Sequence, residues 1–360
     1  MKHGYHKIIF PFLFILITAN LFFPFRLSSQ QPFFRRIVTI DDFGSGQIKC
    51  IYQDKQGFIW IGATSGAYRF DGQDFTILPV HDSILNRSIT AIYEDSKNIL
   101  WFGFEDGNIL KSDRFQVTAF KQKSELPKSK ITAIVEDKDN NLWFGTYGEG
   151  LVVSQGSNLI QINAETGLSD DYIYTIVPDK NGKVWAGTDN GISVCSIKDG
   201  HPSVRIISVN EGLPDFIVRS LKMDEVGKVW AGMDDKGISC YDPKQDKFEV
   251  ITGMNNWDRG SVNDISKIGG LLWIAASASG LIEYNPASGN LKSLSSSEGL
   301  NLNRINSMLN DYEGNTWLIS NKEILLSFGN RLEFLNSFDG AEFTNIHAIY
   351  CDYEDNVWFA

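Results

Sequence analysis

Tryptophan recurs along this chain with a near-constant step. It stands at Trp60, Trp101, Trp143, Trp185, Trp230, Trp273, Trp317 and Trp358, in steps of 41 to 45 residues, and only Trp257 is out of phase. A period of about 40–45 residues implies one supersecondary unit repeated, each copy burying its apolar surface against its neighbours.

The local sequence around each Trp narrows the choice of unit. Six residues before it stands Asp54, Asp95, Asp137, Asp179, Asp224, Asp311 or Asp352, with Lys267 as the exception. Three residues before it comes Gly57, Asn98, Asn140, Gly182, Gly227, Gly270, Gly314 or Asp355. These types tolerate the positive φ of a tight hairpin. A short apolar strand precedes the turn, as at 89–93, 131–135 and 173–177, and the Trp strand follows it. Glycine recurs two residues past the Trp, at Gly62, Gly103, Gly145, Gly187 and Gly232. Another glycine then opens a third strand, as at Gly191 and Gly280, and a fourth follows, as at 159–162 and 247–251. Four strands per unit of this length is a propeller blade.

Apolar residues on both faces of the inner strands fit blades packed face to face. Burying one Trp removes roughly 150–250 Å² from water, about 4–6 kcal/mol as an upper bound. Trp60, Trp101, Trp143, Trp185, Trp230, Trp273 and Trp317 are therefore expected to be structural. The expectation is an all-β, seven-bladed β-propeller of four-stranded antiparallel blades over 36–345. Residues 346–360 read as the start of an incomplete eighth repeat. An eight-bladed ring, or the first part of a double propeller, is the alternative. The stretch 36–40 looks like an orphan outer strand that could join the seventh blade and close the ring.

Residues 1–30 differ from the rest. Lys2 and Lys7 precede an uncharged run from Ile8 to Phe25 rich in Phe, Ile and Leu, and Ser28 and Ser29 follow. This reads as a signal peptide or an N-terminal membrane anchor, placing the body in a periplasmic or other extracytoplasmic compartment.

Net charge is −11, and removing Lys2, Lys7 and Arg26 with residues 1–30 leaves −14. No basic stripe offsets it, so a nucleic-acid partner is not expected. Cys50, Cys195, Cys240 and Cys351 form no CxxC pair, so free and mostly buried thiols are expected rather than zinc or redox motifs.

The runs Ile131 to Thr146 and Asp179 to Ile192, with the Gly-Leu loops at Gly167-Leu168, Gly212-Leu213 and Gly299-Leu300, resemble the two-component-regulator propeller repeat. The resemblance covers residues 36–360. Sialidase-type Asp boxes place the acid five residues before the Trp, and WD repeats place an Asp after it, so both fit less well. The resemblance implies an extracytoplasmic sensor region of a hybrid two-component system, a histidine-kinase-like output elsewhere, and in many members glycan-fragment recognition. It also implies two successive propellers and a membrane span. A chain ending at Ala360 would then be a truncated or partial receptor, touching membrane only through its N-terminal segment or a C-terminal span beyond this sequence.

No HExxH, GxSxG or P-loop occurs among five histidines, so neither a catalytic centre, a metal nor a cofactor is expected. The repeated Asp residues lack D-x-D-x-D-G spacing and are expected to cap turns. A small-molecule or oligosaccharide ligand would meet the loops running from one blade's outer strand to the next blade's inner strand. The candidates there are Arg87, Asp170, Asp171, Tyr172, Asp215, Arg219, Trp257, Asp258, Arg259, Asn303 and Arg304. Trp257, beside Asp258 and Arg259, is either a sugar-stacking ring or a loop anchor on the propeller rim. A non-catalytic scaffold for protein partners, a homodimer, and a propeller glycan lyase or hydrolase are the other readings.

Overall fold

A computed structural model of the chain describes residues 34–39, 46–78, 87–114, 116–122, 126–251, 257–294, 304–320 and 323–328, with short strands at 337–338, 341–342, 349–351 and 357–359. Residues 1–30, expected to be a signal peptide or membrane anchor, and Asn303 lie outside the described residues.

Strand β1 (Phe34–Thr39) comes first. Blade 1 is β2 to β5 (Ile48–Gln53, Ile59–Ala63, Gly66–Phe70, Phe75–Ile77) and blade 2 is β6 to β9 (Ile89–Glu94, Leu100–Phe104, Ile109–Ser112, Val117–Ala119). Blade 3 is β10 to β13 (Ile131–Glu136, Leu142–Thr146, Leu151–Gln155, Asn158–Ile162) and blade 4 is β14 to β17 (Ile173–Pro178, Val184–Thr188, Gly191–Lys198, His201–Ile207). Blade 5 is β18 to β21 (Val218–Met223, Val229–Met233, Ile238–Asp242, Lys247–Val250) and blade 6 is β22 to β25 (Val262–Ile268, Leu271–Ala276, Gly280–Asn285, Asn290–Leu294). Blade 7 takes β26 to β28 (Ser307–Asn310, Thr316–Ile319, Glu323–Ser327) and receives β1 as its outermost strand. The first strand thus closes the ring against the last blade, antiparallel from Phe34↔Ser327 to Thr39↔Glu323. Two hairpins follow, β29–β30 (Ser337–Phe338, Ala341–Glu342) and β31–β32 (Ile349–Cys351, Val357–Phe359).

The inner strands touch in cyclic order, β2 to β6, β10, β14, β18, β22, β26 and back to β2, so they surround one axis. Each core cluster joins two adjacent blades; one holds Trp143 and Leu151 of blade 3 with Ile173, Val184 and Cys195 of blade 4. Another, with Trp317 and Ile324 against Ile48 and Ile61, seals blade 7 to blade 1. Cys195 and Cys240 are buried, Cys50 is half-buried, and all three are unpaired. Burial pushes the Cys50 and Cys195 thiols up to about 12, which keeps them inert.

The Asp of the repeat has a double task in five blades. In blade 3, Asp137 Oδ1 accepts the backbone N–H of Asp139 and Asn141, while Oδ2 accepts the Trp143 indole N–H at 2.8 Å. The same indole bond joins Trp60 to Asp54, Trp101 to Asp95 and Trp317 to Asp311 at 2.9 Å, and Trp185 to Asp179 at 3.4 Å. Trp230 and Trp273 lack it. Blade 6 has Lys267 in the Asp position, and in blade 5 Asp224 Oδ1 caps only the turn N–H groups of Val226 and Lys228. Blade 6 also shifts its turn: Gly269, at φ 58°, carries the positive φ that the spacing assigned to Gly270.

A second tie was not foreseen. The last side chain of an inner strand reaches back to the preceding blade: Glu94 accepts Lys55 N at 2.6 Å, Glu136 accepts Ser96 N at 2.7 Å, and Gln53 accepts Tyr312 N at 2.8 Å across the ring closure.

The glycine two residues past the Trp in blades 1 to 5 exists because of the next blade. A methyl on Gly103 would stand 2.5 Å from Ile131 Cγ2 and 2.7 Å from its Cβ. Gly103→Val is therefore expected to lower stability by about 1–3 kcal/mol through overpacking. Urea unfolding checks this, and a midpoint within error of the parent would refute the close approach.

Candidate functional site

In an antiparallel blade, the start of the inner strand and the end of the second strand lie at the same end. The connections from outer strand to next inner strand, and from second to third strand, therefore share one face. The Asp-capped turns occupy the other.

At that loop face the second residue of the inner strand is a β-bulge in six blades. The register slips between Ile48 and Cys50, Ile89 and Ala91, Ile131 and Ala133, Ile173 and Thr175, Val218 and Ser220, and Val262 and Asp264. The bulged residues are Lys49, Thr90, Thr132, Tyr174, Arg219 and Asn263. A bulge re-aims its side chain, here at the loop-face end of the inner strand. Next to each comes the first residue after the second strand: Thr64, Glu105, Tyr147, Asp189, Asp234 and Ser277.

Most of these pairs are small or spent on neighbours. Thr90 donates to Ile131 O at 2.6 Å, and Asn263 donates to Ile305 O at 2.8 Å, each a tie to the next blade. Blades 3 to 5 are different. Tyr147 and Tyr172 are 45% and 43% exposed and meet edge to face with centroids 4.9 Å apart. Tyr174 lies 5.9 Å from Tyr147 and donates its hydroxyl to Asp189 Oδ1 at 2.7 Å. The Arg219 guanidinium sits 4.3 Å over the Tyr174 ring, and its Nε donates to Asp234 Oδ1 at 2.8 Å. Ser261 of the next blade donates to the same oxygen at 2.7 Å. Thr132 Oγ1, buried nearby, has no partner among the described residues.

These contacts set the ionisation of the cluster. Burial pushes the Tyr174 phenol up, reinforced by its bond to Asp189. Burial alone would raise Asp234, but the hydrogen bonds from Ser261 and Arg219 and the guanidinium charge hold it below the ordinary carboxylate range. Tyr174 is thus a neutral donor, and Asp234 and Arg219 are a fixed ion pair, at neutral pH.

Of the residues singled out from sequence, Tyr172 and Arg219 enter this cluster. Asp215 sits beside it, its Oδ2 accepting Asp235 N at 2.9 Å. Asp170 and Asp171 shape the loop: Asp170 accepts Tyr172 N at 2.8 Å, and Asp171 accepts Ala164 N at 2.7 Å. The remaining candidates lie in other sectors. Arg87 pairs with Asp106 at 3.2 Å, Arg259 donates to Ser293 at 2.6 Å, and Asp258 and Arg304 are exposed. Trp257 is half-buried, packs against the core cluster of blades 5 and 6, and donates its indole N–H to Gly260 O at 2.6 Å. That placement is that of a loop anchor.

Sequence reasoning missed Tyr147, Tyr174, Asp189 and Asp234. Their signal was positional: each occupies the bulge or the residue after the second strand, where the other blades carry Thr, Asn or Ser apart from Lys49 and Glu105.

The turn face offers a cleft of about 530 Å³ at the seam of blades 7 and 1, lined by residues that include Arg35, Asp71, Phe75, Glu313 and Phe328. Its aspartates are committed to turns, with Asp71 Oδ1 accepting Gln73 N and Asp74 N and Asp311 Oδ1 accepting Glu313 N and Asn315 N, and Phe70 and Phe75 stack on each other at 4.6 Å. The loop-face cluster, with exposed rings and converging polar groups, is the better site. Among the described residues no group of three or more His, Cys, Asp or Glu side chains could hold a metal, and no helix is long and apolar enough to cross a membrane.

Residues 42–65, 83–106, 125–148 and 167–190 match the family "two component regulator propeller". The extracellular domain of BT4673 from B. thetaiotaomicron, assigned as a one component or hybrid two component system, superposes with TM-score 0.69 at 23% identity over 92% of this chain and 45% of its own. That of the hybrid two component system BT3049, from the same organism, gives TM-score 0.69 at 18% identity over 91% of this chain and 46% of its own. Virginiamycin B lyase from Staphylococcus aureus gives 0.62 at 12% over 82% of this chain and 98% of its own. These likenesses establish the propeller fold, and the chain spans less than half the length of the first two structures. A sequence search of curated proteins finds no match.

Proposed function

We infer that this chain, whose first four blades match the two component regulator propeller repeat, is a non-catalytic extracytoplasmic sensor domain that recognises a small ligand, an oligosaccharide fragment, on the loop face of blades 3 to 5. The observation that carries the reading is the Tyr147–Tyr172–Tyr174–Arg219 cluster. Exposed tyrosine rings stack on the C–H faces of a sugar, and Asp189, Asp234 and Arg219 supply acceptors and donors at hydroxyl height. The blades hold the loops rigid, so little ordering opposes binding.

The test is titration calorimetry against a panel of oligosaccharides. Tyr172→Ala and Arg219→Ala should each weaken binding by roughly 10–100-fold, as removal of an aromatic or Arg anchor does. Binding that both variants leave intact would move the ligand away from this cluster and defeat the assignment. A second reading, a docking face for a protein, draws on Phe216 at 54% and Val209 at 37% exposed on the same loops. It expects a partner to cover these two residues while oligosaccharides leave them untouched.

A further inference from the structure

Charge on the loop face is divided by sector. The segments 147–150, 163–172, 189–190, 208–217 and 234–237 carry nine carboxylates and one cation, Lys236. The remaining described loop-face segments hold Arg87, Lys121, Lys128, Lys130, Arg259 and Arg304 against Glu105, Asp106 and Asp258, with Lys128 and Lys130 on the loop whose backbone bonds Glu149 and Tyr147. Inside the cluster the one guanidinium, Arg219, has its charge paired with Asp234 through Nε and lies over the face of Tyr174. Asp189 is half-buried and accepts Tyr174 on Oδ1, and Oδ2 receives no donor among the described residues. Backbone hydrogen bonds to Asp170, Asp171, Asp215 and Glu211 fix those carboxylates without cancelling their charge.

We propose that the site over blades 3 to 5 selects a ligand bearing a protonated amine on a sugar ring, and rejects acidic sugars. The ring stacks on exposed Tyr172 and the ammonium meets Asp189 Oδ2. Tyrosine faces attract a cation, the surrounding carboxylates outnumber Lys236 and add a net negative potential, and a uronate or sulfate would face that potential. This rests on the sugar-sensing reading above. An amine could also arrive on a flexible polyamine, and the test separates the two sources.

The experiment measures affinity for glucosamine trisaccharide, N-acetylglucosamine trisaccharide, trigalacturonate and spermine at low and high salt. The expected order places the glucosamine trisaccharide about tenfold tighter than its acetylated form, with trigalacturonate weakest, the gap narrowing as salt screens it. Asp189→Asn, isosteric and checked for an unchanged melting midpoint, should remove most of that gap while leaving the acetylated form's affinity in place. Equal binding of the amine and acetamide, or preference for trigalacturonate, overturns the charge selection, and loss of the sugar in Tyr172→Ala would still uphold the sensor reading. Spermine binding as tightly as the glucosamine trisaccharide, with the acetylated sugar silent, upholds charge selection and overturns the sugar reading. Silence from all four overturns both.

Discussion

Trp143→Ala is expected to lower the free energy of unfolding by about 3–5 kcal/mol, among the largest single-residue effects in this chain. Trp143 is fully buried between blades 3 and 4, where Val153, Leu151 and Ile176 share its cluster. Removing the ring leaves a cavity walled by two blades that are each fixed by a further neighbour, so the gap collapses little. The variant also strips Asp137 Oδ2 of the indole N–H. Trp273→Ala provides the internal comparison. Its ring is similarly buried, but its N–H has no partner to lose, so its cost should be smaller by about 1 kcal/mol, the worth of one hydrogen bond. Urea denaturation of both variants gives the two numbers. A loss below 1 kcal/mol for Trp143→Ala would mean that the tryptophan ladder is not the core of the blades.

The ladder also explains why the fold is so readable from one dimension. A turn that needs Gly or Asn at positive φ, an Asp that caps it and takes an indole, and a Gly pressed against the next blade must recur at fixed offsets. Each requirement is local, so repetition writes it plainly along the chain. The closing strand was legible for a related reason: β1 precedes the first inner strand with no blade of its own. Ties such as Glu94 to Lys55 N and Gln53 to Tyr312 N were not legible. They join residues some 40 or 260 positions apart, and no local pattern marks a glutamate as reaching into the previous blade.

The site was legible only in part, and for the same reason inverted. Binding groups sit where the repeat is free to vary, so they carry no motif. Tyr172 and Arg219 were found because aromatic and charged residues in loops draw notice. Tyr174, Asp189 and Asp234 sit at strand ends, where they read as ordinary strand or turn residues. Trp257 drew the most notice as the one Trp outside the ladder, yet its indole is bonded to Gly260 within its own loop. Aligning the repeats on the bulge would have exposed the odd sector directly: Thr, Thr, Tyr, Arg and Asn in blades 2 to 6 is not a conserved core position but a variable one.

Removing residues up to Thr39 is expected to cost on the order of 5 kcal/mol and to drive association of the propeller. Without β1, the β28 edge loses its antiparallel ladder and offers an unpaired strand to any other chain. Phe34, buried beside Trp273 with ring centroids 5.7 Å apart, goes with it, as does the ion pair of Arg36 with Glu323. The exposed ion pair contributes little, so the loss lies in the ladder and the phenylalanine. Thermal melting and size-exclusion chromatography should show a lower midpoint and oligomers, relative to a chain that keeps residues 34–39. A permuted chain in which 34–39 follow β28 through a short turn should recover both, since the antiparallel pairing is that of a hairpin. If the shortened chain stays monomeric and equally stable, the ring does not depend on this closure. If the permutant recovers, the cost belongs to the missing strand rather than to the cut.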